Sequence, residues 1–186
     1  ANAVDQFVAE YGKIDILVYA STRTGTYPLA DTTHDQWDGM QDYNVRGAFV
    51  AVRQAVRHMR DSGGGAIVAV STMGSVHPVL MGNAAYGASK AAVSYFADSL
   101  RLDLADSGIS VHLIEPGFVD TPLTQKNDFA MPFLVTVEQA AERIFNGLQA
   151  GKSRIRFPRR LSCMLKLLSL LPYNLRNKVA QRMKQQ

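Results

Sequence analysis

Tyr86 and Lys90 stand four residues apart in a segment of helical composition, so both side chains project from one helix face. A free phenol titrates near ~10, too high for easy proton exchange at neutral pH, and a neighbouring ammonium favours the phenolate. Such a pair can protonate a carbonyl oxygen or deprotonate an alcohol. The same spacing also arises on helix surfaces that do no chemistry. Ser71 and Thr72 directly follow the apolar run Ala66 to Val70. Hydroxyls at that point can hold a substrate oxygen against Tyr86, or they can cap backbone groups in a loop. Asn44 interrupts a helical stretch where its propensity is poor. With Val45 and Gly47 beside it, it reads as a residue facing a water or a backbone carbonyl inside the fold. Pro116 and Gly117 end a third apolar run, with Val119 and Thr121 just beyond.

The elements that must position these residues alternate along the chain. Ala3 to Tyr11 reads as a helix stopped by Gly12, and Ile14 to Ala20 as a strand buried on both faces. Thr33 to Gln36 has the capping-box form and opens a helix predicted to run from Asp35 to Arg60, ended by Ser62 to Gly65. Ala66 to Val70 is a second strand, and Tyr86 to Asp106 a helix stopped by Gly108. Ile109 to Ile114 is a third strand, broken by Glu115, Pro116 and Gly117. Val137 to Ala150 is a helix and Ser153 to Phe157 a last strand. Two short helices separated at Leu171 and Pro172 complete the chain. Strand–helix alternation with buried-type strands implies βαβ units and a parallel sheet. Ligands in such sheets bind beyond the carboxyl ends of the strands, which is where the residues after Ala20, Val70 and Ile114 lie.

Composition narrows the classes. Apolar residues make up 47% and charged residues 19%, a globular balance. Cys163 is the only cysteine, so no disulfide framework exists within the chain, and a cytoplasmic location is expected. The net charge of +4 conceals an asymmetry: residues 151–186 carry ten Lys or Arg and no acid, against ten basic and sixteen acidic residues before them. A basic tail on an acidic body calls for an anionic contact, such as a membrane surface, an acidic partner or the body itself. Nucleic acid is not expected, because the acidic body repels phosphate. His34, His58, His77 and His112 have no metal-ligand spacing, so no metal is expected.

In order and spacing these motifs together resemble the short-chain dehydrogenase/reductase family over nearly the whole chain. Asp15 to Val18 looks like its fourth strand, and Asn44 to Gly47 resembles its Asn-x-x-Gly motif. Val70 to Thr72 resembles the strand that ends in its catalytic serine. Tyr86 to Lys90 is similar to its Tyr-x-x-x-Lys, and Pro116 to Thr121 to its Pro-Gly segment. The resemblance implies a doubly wound, Rossmann-like α/β fold with NAD or NADP as cofactor, and a hydride passed to or from a carbonyl or secondary alcohol. It implies catalytic roles for Asn44, Ser71, Thr72, Tyr86 and Lys90. Tyr86 would move the proton and Lys90 lower its pKa and hold ribose hydroxyls. Thr72 or Ser71 (then Ser75) would orient the carbonyl, and Asn44 hold a relay water. Cofactor contacts would come from Ala20, Ser21, Tyr86, Lys90, Pro116, Gly117, Val119 and Thr121. Homo-oligomers are implied, through the helices at 35–60 and 86–106.

Two departures set further expectations. The Gly-rich phosphate-binding front of the family has no counterpart here, since Gly63 to Gly65 precede a strand and form a turn. The sheet is therefore expected to lack its first two or three strands, as in a truncated chain, with an exposed apolar edge. Where the family carries Asn-Asn-Ala-Gly, this chain reads Tyr19-Ala20-Ser21-Thr22. Residues 1–158 then form the catalytic part and 159–186 a basic amphipathic tail. That tail is read as an interfacial anchor, a lid over an apolar substrate pocket, or a helix docked on the sheet or a sister subunit. The rival reading is a non-catalytic remnant that binds partners or membranes through the tail; an epimerase or dehydratase on the same scaffold is another.

Overall fold

A computed structural model describes residues 2–75, 83–126, 131–172 and 174–175. Four parallel strands lie side by side in chain order: β1 (Ile16–Tyr19), β2 (Gly65–Val70), β3 (Ile109–Pro116) and β4 (Arg154–Phe157). The parallel α/β architecture is the expected one. Because the strands are parallel, Tyr19, Val70 and Pro116 finish at one end of the sheet. That end gathers the chemistry.

Alternation along each strand sorts the core into two layers. Ile67, Ala69, Val111 and Leu113 face α3 (Gly47–Asp61) and α4 (Ala84–Asp103), meeting Val52, Ala55, Met59, Val93 and Ala97. Helix α1 (Asn2–Tyr11) adds Val4 and Val8 to this layer. Val68, Ile114, Ile155 and Phe157 face the other way, against Ala140, Ile144 and Leu148 of α5 (Val137–Gln149). Strand order advances in one direction while α5 lies on the opposite face from α3 and α4. The last crossover therefore has the opposite hand to the first two, an arrangement rare among βαβ units. Ile16 and Val18 lie on the α5 side of β1, beyond the reach of that helix, and are 62% and 59% exposed. Among the described residues β1 is an outer strand of the sheet.

Local signals were mostly legible. Thr33 and Gln36 form a reciprocal capping box at the start of α2 (His34–Gln41). Thr136 and Gln139 form a second at α5, which sequence reading passed over. The helix predicted over 35–60 is instead three pieces, because residues Asp42–Arg46 make a π turn between α2 and α3. Strand β3 continues through Glu115 and Pro116 where a break was expected; Glu115 pairs in register with Arg156, and Pro116 with Phe157. Proline is tolerated there because it lies at the strand's last position. Of the tail, α6 (Arg159–Ser169) buries Leu161 and Leu165 against Met73. Its expected second helix lies outside the described residues, apart from Asn174 and Leu175.

The glycines at 63–65 form a turn, as expected. Gly64 has φ +128°, and a Cβ there would lie 2.5 Å from the Gly108 carbonyl oxygen. Left-handed strain and a backbone collision act together. Gly64→Ala is expected to cost about 2 kcal/mol or more, read as a lowered urea midpoint. Gly63 also has positive φ, but open space surrounds it, so Gly63→Ala should cost less.

Candidate active site

Helix α4 carries Tyr86, Ser89, Lys90 and Ser94 past the ends of β2 and β3, and these four residues organise the site. Lys90 is 2% exposed, and its ammonium donates to the Val70 carbonyl at 3.0 Å. It sits 5.9 Å from the centre of the Tyr86 ring, within cation–π reach. Burial lowers the Lys90 pKa from its ordinary range to about 8. Burial also pushes the Tyr86 phenol above its ordinary value. The direction expected from the sequence, a phenol lowered by its ammonium neighbour, is corrected here. Both groups are withdrawn from water, and desolvation of the phenolate dominates.

Ser71 is 3% exposed and fully engaged. Its hydroxyl donates to the Lys90 carbonyl at 2.9 Å and accepts from Ser94 at 2.8 Å. It thus braces β2 to α4, where an open hydroxyl for a substrate oxygen had been expected. Thr72 is half-buried and only loosely held: its Oγ1 lies 3.5 Å from the Pro116 carbonyl and accepts from the Gly74 amide at 3.3 Å. Ser75 donates to the Thr72 carbonyl at 2.7 Å and approaches Ser94 at 3.1 Å.

Asn44 lies in the π turn, wholly buried. Its side-chain oxygen accepts from the Arg23 amide at 2.7 Å, and its nitrogen donates to the Arg23 carbonyl at 2.9 Å and to Ser89 at 2.8 Å. Both amide hydrogens are used. A backbone carbonyl, one of the two partners expected from the sequence, thus meets Asn44, in the loop after β1. Tyr19 donates to the Tyr43 carbonyl in the same turn, and Gly47 leaves room for that phenol.

Ala20 and Ser21 are exposed at the end of β1. At the end of β3, the Gly117 amide donates to the Phe157 carbonyl at 2.7 Å. A Cβ on Gly117 would lie 2.8 Å from both Leu161 and Met73, so these apolar groups close over it. Val119 bridges to Val135, and Thr121 is tied to Thr124 by a 2.9 Å bond from its amide. His77 lies outside the described residues. No cluster of three or more potential metal ligands occurs among the described residues.

Sequence reasoning missed Ser89, Ser94 and Glu115. Glu115 is 0% exposed and receives Arg156 Nε at 2.6 Å and Arg154 Nη1 at 3.3 Å, with Ser94 at 3.4 Å. A usable signal existed: a carboxylate ending an apolar strand must be paired, and Arg154 and Arg156 alternate on the next strand. For Ser94 the signal was its place one helical turn after Lys90.

The nicotinamide end of a dinucleotide fits this donor set. A buried ammonium, a phenol and strand-end hydroxyls suit a ribose and a carbonyl oxygen. Among the described residues no glycine-rich turn follows a strand to hold a pyrophosphate.

A model of the short chain dehydrogenase family matches residues 1–131. An uncharacterized oxidoreductase of Myxococcus xanthus is 35% identical over 95% of this chain and 69% of its own. Cyclopentanol dehydrogenase of Comamonas sp. is 37% identical over 67% of this chain and 50% of its own. A short chain dehydrogenase from Burkholderia cenocepacia, solved in complex with NADP, is 27% identical with a TM-score of 0.71, covering 83% of this chain and 68% of its own. The chain thus spans about half to two thirds of the length of these relatives. Sheet order, motif placement and these matches agree: the chain belongs to the short-chain dehydrogenase family.

Proposed function

We propose that this chain is the catalytic part of an NAD(P)-dependent oxidoreductase that interconverts a carbonyl and a secondary alcohol on an apolar substrate. One observation carries the reading: a phenol and a buried ammonium, 5.9 Å from ring centre to nitrogen, at the carboxyl ends of parallel strands. The cofactor, when bound, supplies or accepts the hydride. Tyr86 gives its proton to the carbonyl oxygen during reduction and takes it back from the alcohol during oxidation. Lys90 binds the ribose hydroxyls and, charged at neutral pH, favours the phenolate as the proton leaves. Thr72 is the strand-end hydroxyl with the weakest internal bonds, so it is the one free to turn toward the substrate oxygen. Asn44 holds the loop after β1 in place. The names of the Comamonas and Burkholderia relatives support the alcohol chemistry and the cofactor. They give no support to the non-catalytic rival.

The apolar substrate is argued from the cluster of Met73, Leu161, Leu165, Phe118, Met164 and Leu168, which walls the ends of β2 and β3. A homo-oligomer is supported by a hollow of about 430 Å³ lined by Val45 of the π turn, Phe49 of α3 and Phe96 of α4, with Tyr95 and Leu102 exposed on α4. Contact with an anionic membrane surface is supported by Leu167, exposed on α6, and Leu170, exposed at its C-cap, beside Arg159, Arg160 and Lys166. No helix among the described residues is long and apolar enough to cross a membrane.

The test is oxidation of NADH or NADPH, followed by loss of reduced-nicotinamide absorbance, with cyclic and long-chain ketones offered in parallel. Turnover that favours the longer, greasier ketones is expected. Absence of hydride transfer to every carbonyl with either cofactor would overturn the reading.

A further inference from the structure

Lys90 is clasped at both ends by two consecutive residues of one strand end. Its ammonium donates to the Val70 carbonyl at 3.0 Å, and its own carbonyl accepts from the Ser71 hydroxyl at 2.9 Å. Within α4 that carbonyl is also the partner of the Ser94 amide, one turn on. Ser94 Oγ reaches back to Ser71 Oγ at 2.8 Å, so Lys90, Ser71 and Ser94 close a ring. Around the same Ser94 oxygen, Ser75 Oγ lies at 3.1 Å and Glu115 Oε1 at 3.4 Å. One buried hydroxyl therefore ties α4 to the ends of β2 and β3 and to the turn after β2. Ser71 and Glu115 are buried as well, so water cannot take over these bonds cheaply.

Each hydroxyl has a single hydrogen, and the distances fix where it goes. Ser75 spends its own on the Thr72 carbonyl at 2.7 Å. Glu115 Oε2 takes Arg156 Nε at 2.6 Å and Arg154 Nη1 at 3.3 Å, so the carboxylate is compensated without Ser94. The Ser94 hydrogen goes to Ser71, whose own hydrogen is then directed at the Lys90 carbonyl. We infer that Ser94 is a positioning residue for Lys90: it fixes the Ser71 hydroxyl on the Lys90 carbonyl, and so holds the helix turn from which the ammonium reaches Val70. The inference rests on the oxidoreductase reading for its functional meaning, though not for its test. A flexible four-carbon side chain has many rotamers open to it, and anchoring its backbone limits where the ammonium can sit. The titratable side chains linked to that ammonium are Tyr86, whose ring centre is 5.9 Å away, and Glu115 through Ser94.

Ser94→Ala and Ser71→Ala each remove one link, and Ser107→Ala serves as the control. Ser107 lies beyond the carboxyl end of α4, where its hydroxyl donates to the Leu104 carbonyl at 2.7 Å. All three should cost a little stability, as for any lost hydroxyl bond. Lysine labelled with ¹³C at Cε, with the Lys90 signal assigned by its loss in K90M, reports the ammonium directly in the chain without cofactor. The parent midpoint lies at about 8, held down by burial. A looser turn lets water reach the ammonium, so in S94A the midpoint should rise by about 0.5 on the pH scale. At a fixed pH near the midpoint the ammonium to amine ratio should be about threefold higher. S71A should show a similar rise, and the S71A/S94A double variant no more than S71A alone, because both act through one chain. S107A should leave the midpoint unmoved. A midpoint that stays put or falls in S94A, additive shifts in the double variant, or an equal shift in S107A overturns the inference. None of these results touches the oxidoreductase reading, which stands or falls on hydride transfer by the parent protein.

Discussion

Tyr86→Phe should leave a folded protein whose carbonyl reduction is slower by about 10²–10⁴-fold, the usual contribution of a positioned general acid. The phenyl ring keeps the half-buried packing of Tyr86 and its 5.9 Å approach to the Lys90 ammonium. Only the hydroxyl goes. The loss should fall on kcat, because the proton moves in the transition state and ground-state binding is little changed. Saturable binding of reduced nicotinamide should survive, since Lys90 remains. A variant within tenfold of the parent in kcat/KM would show that some other group protonates the oxygen.

Lys90→Met should separate activity from stability in opposite directions. Methionine fills a similar volume without the charge. Activity should fall by about 10²-fold or more, through weaker cofactor binding and loss of the charge that favours the phenolate. Stability should rise at neutral pH. Burial lowers the folded-state pKa to about 8, so the charged form in the native state is disfavoured relative to the unfolded chain, where the lysine titrates near 10.5. The penalty is of the order of 3 kcal/mol at most. It is fully present below pH ~8. Between about 8 and 10.5 the unfolded state binds more protons than the native one, so parent stability climbs with pH across that window and levels off above it. The methionine variant should lack that climb. Part of the gain is offset by the unpaired Val70 carbonyl, which loses its 3.0 Å bond. Urea midpoints of the two proteins at pH 7 and pH 10 test the point: a parent whose stability is flat over that range would remove the basis for the argument.

The fold was legible where the physics is local or repetitive. Apolar runs of five to seven residues separated by capped helices could hardly build anything but a parallel sheet, and Thr33 with Gln36 marked a helix start to the residue. The site was legible as residue types in order, Tyr86 and Lys90 above all. What sequence spacing could not supply was the use of each hydroxyl. Ser71 and Thr72 are neighbours on one strand end, yet pleating turns the first inward to Lys90 and Ser94 and leaves the second half-exposed. The grip of Asn44 on Arg23 joins positions 21 residues apart, which no local pattern announces. The direction of the Tyr86 pKa likewise depends on burial, which no spacing rule measures. Glu115 was the avoidable omission, because a charge in an apolar strand demands a partner whatever the fold.

The π turn at Asp42–Arg46 holds one more residue than regular α-helical winding needs. Excise a single residue there and α2 would flow into α3 without interruption, with better backbone geometry than the native chain has. The same excision would swing Asn44 by about 100° around the helix axis, away from the loop it grips. A shortened descendant would then hold its shape at least as well while the loop after β1 lost its hold on Asn44. In this helix, irregularity is the means by which an amide is aimed.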